Sequence, residues 1–204
     1  MTDTEITERA AITAPGGLFE MRRLESLSNT IFGVAMTLLA YDLPKNIQFT
    51  AVPGWSELYH QFGGRLAGVI LSFVVAGLFW ISHHRRLTRQ PLGSRGVVIL
   101  NLFFLLSIIL LPVTTGLYSS FRQSSAIAVL YGLQLTVVAA LNAVLWRLAI
   151  KGWRAEIAAA IFPVLVFVPG TLVAWWAPQY AQYVWFLAFG GLLVRRLASR
   201  QPEA

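Results

Sequence analysis

The sequence predicts an all-α integral membrane protein, a bundle of six helices with one six-helix unit per subunit. Three observations lead there. Hydrophobic residues make up 56% of the 204 positions and charged residues only 12%, an apolar excess beyond the usual soluble balance. The charges cluster between long apolar stretches, as a bilayer demands, because a spanning helix needs about 20 mostly apolar residues to cross roughly 30 Å of hydrocarbon. Lys and Arg also crowd into alternate loops, the pattern that membrane insertion imposes.

Residues 1–21 carry Asp3, Glu5, Glu8 and Arg9 without an apolar core, so they read as a disordered cytoplasmic tail and not as a secretory signal. The membrane domain then covers 22–199. Its first span, 26–43, is slightly short and is stopped by Pro44. Residues 44–62, with Pro53, Gly54, Trp55 and Tyr59, suit a loop or short helix at the membrane surface. Spans two, three and four cover 63–84, 96–118 and 124–148, the last two separated by the single charge Arg122. From Ile157 to Val194 no residue is charged, too long a run for one helix, and Pro178 is the natural break. Spans five and six are therefore 157–177 and 179–196, and 200–204 form a cytoplasmic tail.

Loop charges set the orientation. Arg9, Arg22, Arg23, Arg85, Arg86, Arg89, Arg95, Arg147, Lys151, Arg154, Arg195, Arg196 and Arg200 fall on one side; Lys45, Arg65 and Arg122 fall on the other. The positive-inside rule makes the crowded side cytoplasmic, which puts both termini there and requires an even number of spans. The net charge of +7 thus has a membrane explanation, and nucleic acid is not an expected partner. The absence of cysteine removes disulfides, thiolate nucleophiles and thiolate metal sites.

Little else points to chemistry. Gly64, Gly68, Ser72 and Ala76 recur every four residues and form a small face suited to close helix packing. Pro112, Pro163 and Pro169 lie inside spans and permit kinks. His83 and His84 sit together, but His60 lies across the bilayer in this topology, so the three cannot meet at one ion. No phosphate loop, Ser/His/Asp set or paired acids are present. The expectation is a protein that is not an enzyme and holds no cofactor or resident metal.

The first span is the informative one. At helical spacing Thr30, Val34, Thr37, Leu38 and Tyr41 share a face that is partly hydroxylated and partly aliphatic. Two readings are open. The Thr hydroxyls can bond back to their own helix while the rest pack, or symmetric copies can line a pore in which aliphatic rings close by dewetting and hydroxyl rings replace water around an ion.

Several spaced motifs then carry a resemblance: Arg23 followed by Leu27-Ser28-Asn29 and Thr37; Trp80-Ile81-Ser82-His83-His84-Arg85; Asn101-Leu102-Phe103-Phe104-Leu105-Leu106; and Leu111-Pro112-Val113-Thr114-Thr115. Tyr131 and Trp146 follow in span four. Over roughly 22–148 the chain resembles the transmembrane protein 175 family of potassium channels, of endolysosomes and bacteria. The family's Phe-Ser-Asp is here Leu27-Ser28-Asn29, which removes a carboxylate but leaves an amide able to keep hydrogen bonds.

The resemblance implies a homotetramer with helix one around a central pore, passing potassium and other monovalent cations. Val34 would form the constriction, Thr37 the hydroxyl ring that favours potassium, and Leu38 and Tyr41 the path to the outer mouth. Arg23, Leu27, Ser28, Asn29, Trp80, His83 and His84 would brace the helix. Asp42, at the outer end of the span, is either a ring of carboxylates attracting cations or a solvated helix-end charge. The implied location is a bacterial inner membrane, in contact with lipid. Two alternatives stay open: a small secondary transporter, proton-linked through His83 or His84, and a noncatalytic membrane scaffold.

Overall fold

Long apolar runs with few internal breakers should form long helices, and they do. In a computed structural model that describes residues 19–41, 43, 49, 52–90, 92–150 and 155–190, with the side chains of Glu20 and Phe189 outside the description, the chain forms six helices. These are α1 (Met21–Tyr41), α2 (Trp55–Arg89), α3 (Arg95–Ser120), α4 (Ser125–Ala149), α5 (Ala155–Trp176) and α6 (Pro178–Phe186), with a 3₁₀ turn at Leu187–Gly190. Asp42, Pro44, Lys45, Lys151, Trp153, Arg154, Arg195, Arg196 and Arg200, both predicted tails up to residue 18 and from 200, and the end of the sixth predicted span lie outside the described residues.

Helix α2 starts at Trp55, so the second half of the predicted surface connection is already helical. At 1.5 Å per residue its 35 residues measure about 52 Å, longer than a hydrocarbon core. Its first turns leave Trp55 and Tyr59 exposed. Helix α4 is capped by Ser124, whose hydroxyl accepts from the Ile127 amide. Pro112, Pro163 and Pro169 sit inside helices without ending them. Pro178 does end one, because it opens α6 at a first-turn position where a missing N–H costs nothing.

Among the described residues four helices, α2 to α5, are long and apolar enough to cross a membrane. Helix α1 is not one of them, since Arg22, Arg23, Glu25 and the Ser26–Thr30 segment dilute its apolar half. Helix α6 has only nine residues. Apolar side chains nevertheless cover the outside of the bundle: on α3 alone Ile99, Leu102, Phe103, Leu106, Ile109, Leu110 and Val113 are exposed. Water-soluble monomers rarely expose apolar surface on this scale.

A pair of two-residue strands was not foreseen. β1 (Phe19–Glu20) and β2 (Leu92–Gly93) pair antiparallel, Phe19 with Gly93 and Glu20 with Leu92. The pairing ties the start of α1 to the α2–α3 turn, and the Met21 side chain packs directly over Gly93, where a Cβ would fall 2.6 Å from its sulfur.

The packing follows the small residues. Helices α4 and α5 share the largest interface, and α1 leans on α3 and α2. On α2 the small face works as a packing surface: a Cβ at Gly68 would lie 2.8 Å from Ser119 Oγ, and Ser72 and Ala76 are fully buried. Ser72 Oγ lies 2.7 Å from the Tyr131 hydroxyl and 2.8 Å from Thr115 Oγ1, which itself donates to the Leu111 carbonyl. The three hydroxyls therefore run as one chain from α4 through α2 to α3. Tyr118 stacks on Tyr131 at 4.8 Å, and Trp185 meets both edge-on.

Trp185 also sets a test of α6. A Cβ at Gly170 would fall 2.4 Å from its indole, which is fully buried. Gly170→Ala is expected to destabilise the bundle by about 1–3 kcal/mol, the usual cost of overpacking. Thermal unfolding of the detergent-solubilised variant measures it, and wild-type stability would mean that Trp185 yields freely.

Candidate functional site

Helix α1 has two faces of different character. Met21, Leu24, Ser28, Phe32, Ala35 and Leu39, spaced three and four apart, are buried against the bundle. The opposite face holds Leu27, Val34, Leu38 and Tyr41, with exposures of 45%, 54%, 44% and 65%. Thr30 and Thr37 are exposed beside them, and at Gly33 an added Cβ would meet nothing within 4 Å. The predicted pore residues thus share one face that the chain's own bundle leaves uncovered.

Both threonines bond back to the helix. Thr37 Oγ1 donates to the Val34 carbonyl at 2.8 Å, and Thr30 Oγ1 donates to the Ser26 carbonyl at 3.2 Å. This fulfils the structural reading of the hydroxyls without consuming the other one. A hydroxyl that spends its proton on the backbone keeps its lone pairs, which are what a cation requires.

The buried face is held by a polar network that runs inward from α1 in the order Ser28, His83, Arg86, Asn101. Ser28 Oγ donates to the Leu24 carbonyl at 2.6 Å. Its proton is thereby spent, so His83 Nε2, 2.8 Å away, is the donor to it. The other ring nitrogen, Nδ1, accepts from Arg86 Nη2 at 2.9 Å. The same Nη2 donates to Asn101 Oδ1, and Asn101 Nδ2 donates to the Val97 carbonyl at 2.8 Å. Ser28, His83, Arg86 and Asn101 are all at most 1% exposed. The His83 ring stacks on Phe104 at 5.2 Å, and Phe32 packs against both.

A second, half-exposed layer lies alongside. Trp80 Nε1 donates to Asn29 Oδ1 at 2.9 Å and its ring stacks on His84. His84 Nδ1 approaches Glu25 Oε1 to 2.9 Å, an electrostatic contact without aligned hydrogen-bond geometry. Asn29 thus makes the hydrogen bond its amide allowed. Arg23 and Leu27 are exposed and stand outside both layers.

Arg86 departs from expectation. The sequence counts it among the cytoplasmic charges, yet it is fully buried, and among the described residues its Nε and Nη1 have no hydrogen-bond partner. A signal was present: Ser72, Ala76, Phe79, His83 and Arg86 continue one buried stripe of α2 at steps of three and four. Glu25, Phe32 and Phe104 also join the network unforeseen. No group of three or more metal-ligating side chains occurs among the described residues.

Comparison with known proteins agrees with the motif reading. Residues 23–112 match the family model described as "Endosomal/lysosomal potassium channel TMEM175", a range that contains both layers of the network. The curated "Potassium channel B446_29190" of Streptomyces collinus is 29% identical over 141 residues, 65% of this chain. The match spans 66% of that relative's own length, just under two thirds.

Proposed function

We propose that this chain, a multi-pass membrane protein whose residues 23–112 match the TMEM175 family model, is a passive, potassium-permeable cation channel. One observation carries the reading: a face of α1 bearing aliphatic and hydroxyl side chains is turned out of the bundle while its opposite face is pinned by a buried polar network. This face differs from the apolar outer face of α3 in setting the hydroxyls of Thr30 and Thr37 among Val34, Leu38 and Tyr41.

In this reading four copies of the chain place their α1 helices around an axis. Val34 forms the hydrophobic constriction that closes by dewetting, and Thr37, with lone pairs free, forms the hydroxyl ring around a partly dehydrated potassium ion. Leu38 and Tyr41 lead to the outer mouth, where Asp42 supplies a ring of carboxylates. Valine is smaller than the Leu or Ile usual at such a constriction, so the closed pore is leaky. Ser28, Asn29, Trp80, His83 and His84 hold α1 without touching the ion. Six spans with the arginine-rich ends in the cytoplasm, in a bacterial inner membrane, complete the arrangement.

Potassium flux into liposomes containing the purified protein tests it. Flux should follow the potassium gradient, and Thr37→Ala should lower the potassium/sodium permeability ratio. An unchanged ratio removes Thr37 from its role, and absence of any conductance removes the channel.

A further inference from the structure

A cleft remains that conduction through α1 does not use. It lies between α2 and α5, is floored by Asn142 and Trp146 of α4, and is a narrow, half-open slot with roughly 100 Å³ of room for water-sized groups. Its long wall is apolar, built from Val75, Phe79, Ala160, Pro163 and Phe167. Its arginine-rich end is polar. There Arg89 Nη1 meets Glu156 Oε1 at 2.7 Å and its guanidinium lies 5.7 Å from the Trp146 ring centre. Arg89 and Glu156 neutralise each other. Arg85 lines the same end, is exposed, and has no ion-pair or hydrogen-bond partner for its side chain among the described residues. Among the described residues the polar end of the cleft thus carries two guanidinium groups, Arg85 and Arg89, and one carboxylate, Glu156.

An apolar slot between spanning helices, closed at its head by a guanidinium, is complementary to an amphiphile with an anionic head and an acyl tail. We propose that this cleft binds an anionic phospholipid, its phosphate on Arg85 and one acyl chain along Phe79, Pro163 and Phe167. Trp146 and Ser82 give the site a fixed floor: Trp146 Nε1 donates to Ser82 Oγ at 2.8 Å, and Ser82 Oγ donates to Asn142 Oδ1 at 3.1 Å. The lipid so bound would bridge α2 to α5, which share little direct contact. The proposal requires only that the bundle sits in a membrane and is independent of conduction.

Native mass spectrometry of the full-length protein released from mixed micelles tests it, with phosphatidylglycerol as probe. Phosphatidylcholine of the same acyl chains is the head-group control, and glycerol 3-phosphate is the head without a tail. Phosphatidylglycerol should be retained in preference to phosphatidylcholine. Arg85→Gln should weaken retention about fivefold, the loss expected for one basic contact near a membrane surface. Ala159→Phe, which fills the cleft from its half-buried wall, should abolish it, while glycerol 3-phosphate should not compete. Equal retention of the two lipids, wild-type retention in Arg85→Gln, or displacement by glycerol 3-phosphate overturns the proposal. Arg85 is exposed, so its variant folds and decides the matter even where Ala159→Phe does not.

Discussion

Asn101→Leu is expected to destabilise the protein by about 3 kcal/mol, because it removes an acceptor from a buried guanidinium that has no carboxylate partner among the described residues. Arg86 is fully buried and its Nη2 is shared between His83 Nδ1 and Asn101 Oδ1. Taking away Asn101 leaves the charge, among the described residues, with one neutral acceptor, His83, whose own ring packs on Phe104 and Phe32. The same physics predicts a partial rescue. In the double variant Arg86→Met, Asn101→Leu the charge that needed the acceptor is gone, and an apolar pair of similar volume is often no worse than the polar one it replaces. A double-mutant cycle of thermal unfolding in detergent measures this. Simple additivity of the two losses would show that Arg86 and Asn101 are not coupled, and the network would reduce to independent contacts.

The second large effect concerns conduction. Val34→Asn is expected to raise potassium flux into liposomes at least about tenfold, since a polar ring holds water where an aliphatic ring expels it, and about 1.4 kcal/mol off the barrier suffices for that factor. The substitution is unusually clean. Val34 is more than half exposed on its own chain, so the folded subunit loses almost nothing, and unfolding should be unchanged. Flux equal to the wild type, with protein still assembled, would place the constriction elsewhere or remove the pore from α1. Together with Asn101→Leu this separates the buried network behind α1, where the expected effect is on stability, from the exposed face of α1, where the expected effect is on permeation.

The network also explains how the chain tolerates Asn at position 29. A carboxylate there would be another charge beside Trp80 and His84. The amide instead accepts from Trp80 Nε1 at 2.9 Å, while Glu25, one turn earlier, supplies the negative partner to His84. The anionic group near the histidines is therefore provided by a neighbouring turn of the same helix.

Much of the architecture was legible from residues alone. Long uncharged runs gave the helices, since only a membrane or a very large core accepts them, and Pro178 marked the α5–α6 break because proline cannot continue a helix already begun. The four-residue recurrence of Gly64, Gly68, Ser72 and Ala76 identified a packing face, because small side chains at that spacing have little other use. Periodicity also put Thr30, Val34, Thr37, Leu38 and Tyr41 on one face of α1, but left open whether the bundle covers that face.

Only the tertiary structure decided what lies opposite each face. Arg85 and Arg86 are adjacent and chemically identical, yet one is exposed and the other wholly buried, and composition cannot tell them apart. The α2 start, the β1–β2 pairing and the Arg89–Glu156 contact likewise join residues far apart in sequence or depend on packing beyond it. Local pattern fixes which way a side chain leaves its helix. What it then meets depends on how the helices are set against one another, and that is a property of the assembled bundle.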